Sequence, residues 1–260
     1  MPRYNRFKRA ALQSFVCLPF LCTGAIAQTT LNGSGWTGTL GGGPAFFPKY
    51  TGGKGLQAVP LPIAYVDYNG WFYVNLFRAG AYFWGSEDKK QGLSFAMEPR
   101  IGFHSSEGAR LTGMATRRSS LFGGLTYNAE SDLGSMSLGY FVDLSNASRG
   151  GYFDLLFNRA FLKNDRWDVS GTVQFSRLDS KVVNYYFGVT PAEVTAGRAL
   201  YMPGSTTNVT LWLTGQYNLN KQYALMFGAN VTRLGGSAAA SPIVERRDVP
   251  FLYFGLGLNL

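Results

Sequence analysis

The run "FLYFGLGLNL" at 251–260 alternates, with Phe254, Leu256, Leu258 and Leu260 on one parity and Gly255, Gly257 and Asn259 on the other. Successive side chains of a strand point to opposite faces, so such a run reads as a strand with one apolar face. The same pattern predicts strands at 36–46, 57–68, 71–77, 79–84, 92–103, 119–129, 134–144, 151–161, 167–178, 206–219, 222–234 and 250–260. No convincing 3.6-residue amphipathic segment interrupts them, and no run of 18 apolar residues follows Ala27. A helical membrane protein is therefore excluded.

Several of these strands run to 10–13 residues. Globular strands are usually about 5–6 residues long, whereas a tilted strand needs about 9–11 to cross a bilayer. Tight polar turns at "KNDRW" (163–167) and "LNKQY" (219–223) contrast with long polar stretches at 179–205 and 235–249. Short turns at one end and long loops at the other are the pattern of an outer-membrane barrel. Trp71, Trp84, Trp167, Trp212, Tyr217 and Tyr223 then form aromatic girdles at the two interfaces. The expectation is an all-β, closed antiparallel transmembrane β-barrel of about 12 strands, within a range of 10–14. The competing reading is a soluble sandwich, because alternation alone does not say what the apolar face meets.

Composition bears on compartment. "MPRYNRFKR" carries Arg3, Arg6, Lys8 and Arg9 without an acid, an apolar stretch follows, and "AIA" at 25–27 is a small-x-small cleavage site. Residues 1–27 are thus expected to be a signal peptide and 28–260 the barrel. That leader takes four of the 24 Lys and Arg and none of the 15 acids, reducing the formal charge from +9 to +5. A nucleic-acid partner is not expected at that charge. Cys17 and Cys22 both lie in the leader, which removes disulfides, thiolate metal sites and cysteine nucleophiles from the rest.

Five segments resemble the MipA/OmpV family of outer-membrane proteins: "GGGPAFFPKYTGG" (41–53) followed by "VPLPIAYVDY" (59–68), "RLTGM" (110–114), "YYFGVTPAEVTAGRALYMPG" (185–204) and "SPIVE" (241–245). Around "DLSNASRGG" (143–151) the family commonly carries a His that this sequence lacks. The resemblance implies an outer-membrane barrel of about 12 strands. It also implies a scaffold that docks a murein hydrolase (a lytic transglycosylase) and a penicillin-binding protein.

Candidate chemistry is sparse. The single His, His104, shares strand parity with Ser106, as in outer-membrane deacylases, but Glu107 has the wrong parity to complete the set. "HSSEG" equally reads as a polar turn, so an enzyme (a lipid A or phospholipid hydrolase) is the remote alternative and a small porin-like or stress-responsive channel the nearer one. Neither a metal nor a cofactor is expected. Asp67, Asp143 and Asp154 fall on predicted strands, where lumen pairs with Arg78, Arg100 or Arg159 are the ordinary reading. The basic groups "TRRSS" (116–120) and "ERR" (245–247) suit either lipopolysaccharide phosphates or a solvated rim. The stretch 179–205, with Tyr185, Tyr186, Phe187, Gly188, Val189 and Pro191, is the candidate partner-contact loop, since long loops without their own structure tend to be functional.

Overall fold

The computed structural model describes residues 35–88 and 90–260, so the expected leader at 1–27 lies outside the described residues. Twelve strands form one closed antiparallel barrel: β1 (Trp36–Pro48), β2 (Leu56–Tyr68), β3 (Phe72–Asn75), β4 (Arg78–Gly85), β5 (Gln91–Arg100), β6 (Ser120–Ser131), β7 (Gly134–Asp143), β8 (Gly151–Lys163), β9 (Trp167–Leu178), β10 (Thr206–Asn218), β11 (Tyr223–Arg233) and β12 (Asp248–Asn259). Every strand pairs with its sequence neighbours, and β12 returns to β1 with Leu258 opposite Leu40 and Tyr253 opposite Ala45. The expected architecture is the one observed.

Alternation explains the wall. On β10, Leu211 and Leu213 are exposed outward, while Thr210 is buried and Thr210, Trp212 and Thr214 share the inward parity. The same outward apolar surface continues through Phe254 and Leu256 of β12 and Phe95 of β5, each at least half exposed. Facing hydrocarbon, that surface needs no cover, and the polar parity fills the lumen. Thr39, Gln216, Asn218 and Asn259 hydrogen-bond one another there, and Ser94 meets Thr126 at 2.5 Å.

The connections sort by end. At one end lie the start of β1, the end of β12 and the tight connections 69–71, 86–90, 132–133, 164–166 and 219–222; at the other lie the longer loops 49–55, 101–119, 144–150, 179–205 and 234–247. One long-end connection is an exception: β3 and β4 turn at Leu76 and Phe77 after only four residues of β3.

The absence of amphipathic helix expected from sequence does not hold. α1 (Ser180–Phe187) buries Val182, Val183, Tyr186 and Phe187, a single helical face, and the Asp179 side chain caps it by accepting from the Val182 N–H. A second short helix, α2 (Gly236–Ala239), lies in the last long loop. Eight residues are too few for periodicity to outweigh the surrounding strand pattern, and α1 is held by what it packs on.

Gly38 of β1 holds φ at +112°, and a Cβ there would strike the Tyr65 carbonyl. Gly38→Ala is expected to destabilise the barrel by about 1–3 kcal/mol, read as a lower urea midpoint of the heat-modifiable, folded band.

Candidate functional site

The loop-side half of the lumen is the most elaborated part of the molecule. Asp154 of β8 is fully buried and accepts from Arg78 Nη2 at 2.7 Å, Ser176 Oγ at 2.7 Å and Gln174 Nε2 at 2.9 Å. Arg78 reaches across from β4, and its Nε donates to Glu98 of β5 at 2.8 Å. Tyr152 donates its hydroxyl to the other oxygen of Glu98. Arg100 lies beside them, its guanidinium 5.4–5.8 Å from the rings of Phe122, Tyr152 and Tyr186. Arg78 thus pairs with both carboxylates, while Arg100 rests on aromatic rings.

Above this layer α1 closes the mouth. Val182, Val183, Tyr186 and Phe187 pack on Phe122, Phe141, Tyr152 and Leu178 of the wall and on Leu234 and Ala238. Tyr186 donates to Ser120 Oγ at 2.8 Å, and Ser241 Oγ donates to the Phe187 carbonyl at 2.5 Å. A second seam joins two loops: Arg117 grips Glu193 through two bonds of 2.8 Å, and Arg198 donates to the carbonyls of Glu193, Arg110 and Thr112. Burial alone would raise the Glu193 carboxyl, but the bonds from Arg117 and from the Thr190 and Ala115 N–H groups outweigh it and hold it down at about 2.

The residues nominated from sequence divide. Of the contact loop, Tyr186, Phe187, Gly188 and Val189 are buried within the cap, Tyr185 is half-buried and Pro191 is exposed. Of the girdle, Trp71, Trp84, Trp167, Tyr217 and Tyr223 all sit at the tight-turn end, with Trp167 against Tyr217 at 4.6 Å between centroids. Trp212 is a correction: it has the inward parity, donates to Gln174 Oε1 at 3.3 Å and packs on Phe251 in the lumen. Asp67 and Asp143 are corrections too, because they accept from backbone N–H groups of their own turns, Gly70 for the first and Ser145, Ser148 and Arg149 for the second. Arg159 is exposed on the wall, and Arg100 stacks on rings where a carboxylate partner was expected.

His104 stands in the 101–119 loop with Nδ1 3.3 Å from Thr116 Oγ1, and Glu98 is committed to Arg78 and Tyr152. A His–Ser–carboxylate set is therefore not assembled among the described residues. Arg117, Glu193 and Arg198 were not singled out as a cluster from sequence. The one local signal was the spacing Thr190-Pro191-Ala192-Glu193, a capping box whose Glu then serves the arginine as well.

Residues 40–258 match the family described as MltA-interacting protein MipA. The chain belongs to this family. Among named relatives of this MipA-family chain, outer membrane protein Omp26La of Vibrio anguillarum is 29% identical over 138 residues, 51% of each chain, and outer membrane protein OmpV of Vibrio cholerae is 26% identical over 153 residues, 56% of each. A 24 kDa outer membrane protein of Pasteurella multocida is 24% identical over 107 residues, 40% of this chain and 42% of that one. The chain thus spans about half the length of the curated relatives it matches. With the barrel, these relatives place the MipA-family protein in the outer membrane of a Gram-negative cell.

Two outcomes follow from the charged layer and its cap. Asp154→Ala leaves the Arg78 guanidinium half-paired in the lumen and should cost about 3–5 kcal/mol, measured as a drop in the urea midpoint, with Asp154→Asn falling between it and wild type. Glu193 has a folded pKa below its ordinary 4.5, so its stabilisation is complete above that value and is lost as pH falls toward about 2. Limited proteolysis of the cap should therefore accelerate across that acid window in wild type. Glu193→Gln should already be cleaved faster at neutral pH and show no acid step.

Proposed function

We propose that this MipA-family barrel is a non-enzymatic docking scaffold for murein-remodelling enzymes, a lytic transglycosylase and a penicillin-binding protein. The observation that carries the reading is the filled lumen: the Arg78–Glu98–Asp154 layer lies under the α1 cap, so the molecule offers surfaces rather than a passage. The family description itself names an interaction with MltA. Outer-membrane barrels keep short turns on the periplasmic side and long loops outside, and murein lies in the periplasm. The reading therefore assigns docking to the tight-turn rim, with Glu87, Asp88, Asp165, Arg166 and Lys221 at its tips. Tyr185 and Pro191 are the accessible part of the loop nominated from sequence, and contact through them would be with a partner on the opposite side. There the exposed Arg118 and Arg247 suit lipopolysaccharide phosphates.

The test is affinity capture from solubilised envelopes with the full chain as bait, alongside planar-bilayer recording. Murein hydrolase and synthase should be recovered, and Arg166→Glu with Lys221→Glu should reduce recovery several-fold while Tyr185→Ala leaves it intact. Loss with Tyr185→Ala alone would move the contact to the loop side. Steady single-channel conductance with no murein enzyme captured would replace the scaffold by the channel.

A further inference from the structure

The wall between β2 and β5 is incomplete on the loop side. β3 pairs with β2 only at Tyr65–Tyr68, and β4 pairs with β5 only from Ala79 opposite Met97 downward. Leu56–Ile63 of β2 therefore pair with β1 alone, and Glu98–Arg100 of β5 with β6 alone. The sill is the turn at Leu76 and Phe77. The lintel is the contact of loop 49–55 with loop 101–119, where Tyr50 meets Phe103 edge-on at 6.3 Å. Together they frame a window in the barrel wall.

Its edges are depleted in donors. The Leu76 N–H bonds the Ala64 carbonyl, so even-numbered residues of β2 turn their backbone groups toward the window and odd-numbered ones toward β1. Pro60 and Pro62 are even. On β5 the Glu130 N–H bonds the Lys90 carbonyl and the Ser86 N–H bonds the Gln91 carbonyl, so odd-numbered residues face the window. Pro99 is odd. Proline has no N–H, so all three remove a donor from a free edge lying in hydrocarbon, where an unsatisfied one is costly.

The lining is apolar on the β2 side and charged on the β5 side, where Glu98 and Arg100 point inward. Val59 and Leu61 of β2 point inward and, with Phe47, Leu76 and Phe251, pack half-buried against Ala45, Ile63, Met226 and Tyr253. Phe77 on the sill meets Phe251 at 5.5 Å yet is 37% exposed. Outside the window, Leu56, Met97 and Ile101 are about half exposed and belong to the band that faces lipid.

We infer that the window between β2 and β5 admits one acyl chain of an outer-leaflet lipid, which lies on Val59, Leu61, Phe77 and Phe251 with its headgroup outside. An added β-strand from a partner would need the donors that Pro60, Pro62 and Pro99 lack. A polar solute would meet Val59 and Leu61 on the β2 side, and on the β5 side Glu98 is already held by Arg78 and Tyr152. An acyl chain needs neither edge donors nor polar partners, and the bilayer presents it at the opening. The inference is independent of murein docking.

The test places the photocrosslinker p-benzoylphenylalanine at Leu61 and, separately, at Val59 of the full chain in the outer membrane, with outward-facing Phe254 as the bulk-lipid control. Folding is checked by heat-modifiable migration, and adducts are read by intact mass. Irradiation should add a lipid mass at Leu61 and Val59. That adduct should be lost when two residues are added to each strand of the β3–β4 hairpin at its tip, while the Phe254 adduct persists. The unlabelled chain should likewise retain one lipid in native mass spectrometry and lose it on hairpin extension. Adducts at Phe254 alone, a protein adduct at Leu61, or lipid retention unaffected by the extension would each overturn the inference.

Discussion

A chain that crosses hydrocarbon must satisfy its own backbone, because no water is present to do so. In this protein the pairing of β12 with β1 meets that demand, and the other features rest on it. Closure fixes which parity of every strand faces lipid and which faces the lumen, since a one-residue slip would turn leucines inward and threonines outward. The outward leucines and phenylalanines need no partner protein, and the inward positions become an interior that must be filled.

That interior is filled in two ways. On the β4, β5, β8 and β9 side it is ionic: Arg78 bridges Glu98 and Asp154, and Gln174 and Ser176 take up the remaining oxygen capacity of Asp154. On the β1, β2 and β12 side it is apolar, around Ile63 and Tyr253. The α1 cap closes the ionic side, and the arginine seam through Arg117, Glu193 and Arg198 ties that cap to the 101–119 loop. A lumen so occupied is consistent with a barrel whose work is done at its rims and in its wall.

The wall itself breaks the closure rule in one place. A four-residue β3 leaves parts of β2 and β5 unpaired on one side, and prolines stand on the edges that face the gap. Proline is depleted from central strands because it deletes a ladder bond. Three of them on facing free edges indicate a structural feature rather than a defect, and the aromatic sill beneath gives that feature an apolar floor.

The sequence by itself indicated an all-β barrel of about 12 strands within a range of 10–14, the strand positions to within a few residues, and a resemblance to the family. These are local or repetitive properties: alternation repeats every two residues, so each run reports its own state without reference to the others. Trp212 shows the limit, since its aromatic type suggested a girdle whereas its register placed it in the lumen beside Gln174. Only the tertiary structure decided that Asp154 pairs with Arg78 while Asp67 and Asp143 serve turns. It alone brought Arg117 to Glu193 across 76 positions, folded 180–187 into a helix, and left Pro60 and Pro62 on one free edge and Pro99 on the other. Each of these depends on which strands become neighbours and how far each extends, and barrel closure sets both through contacts distant in sequence.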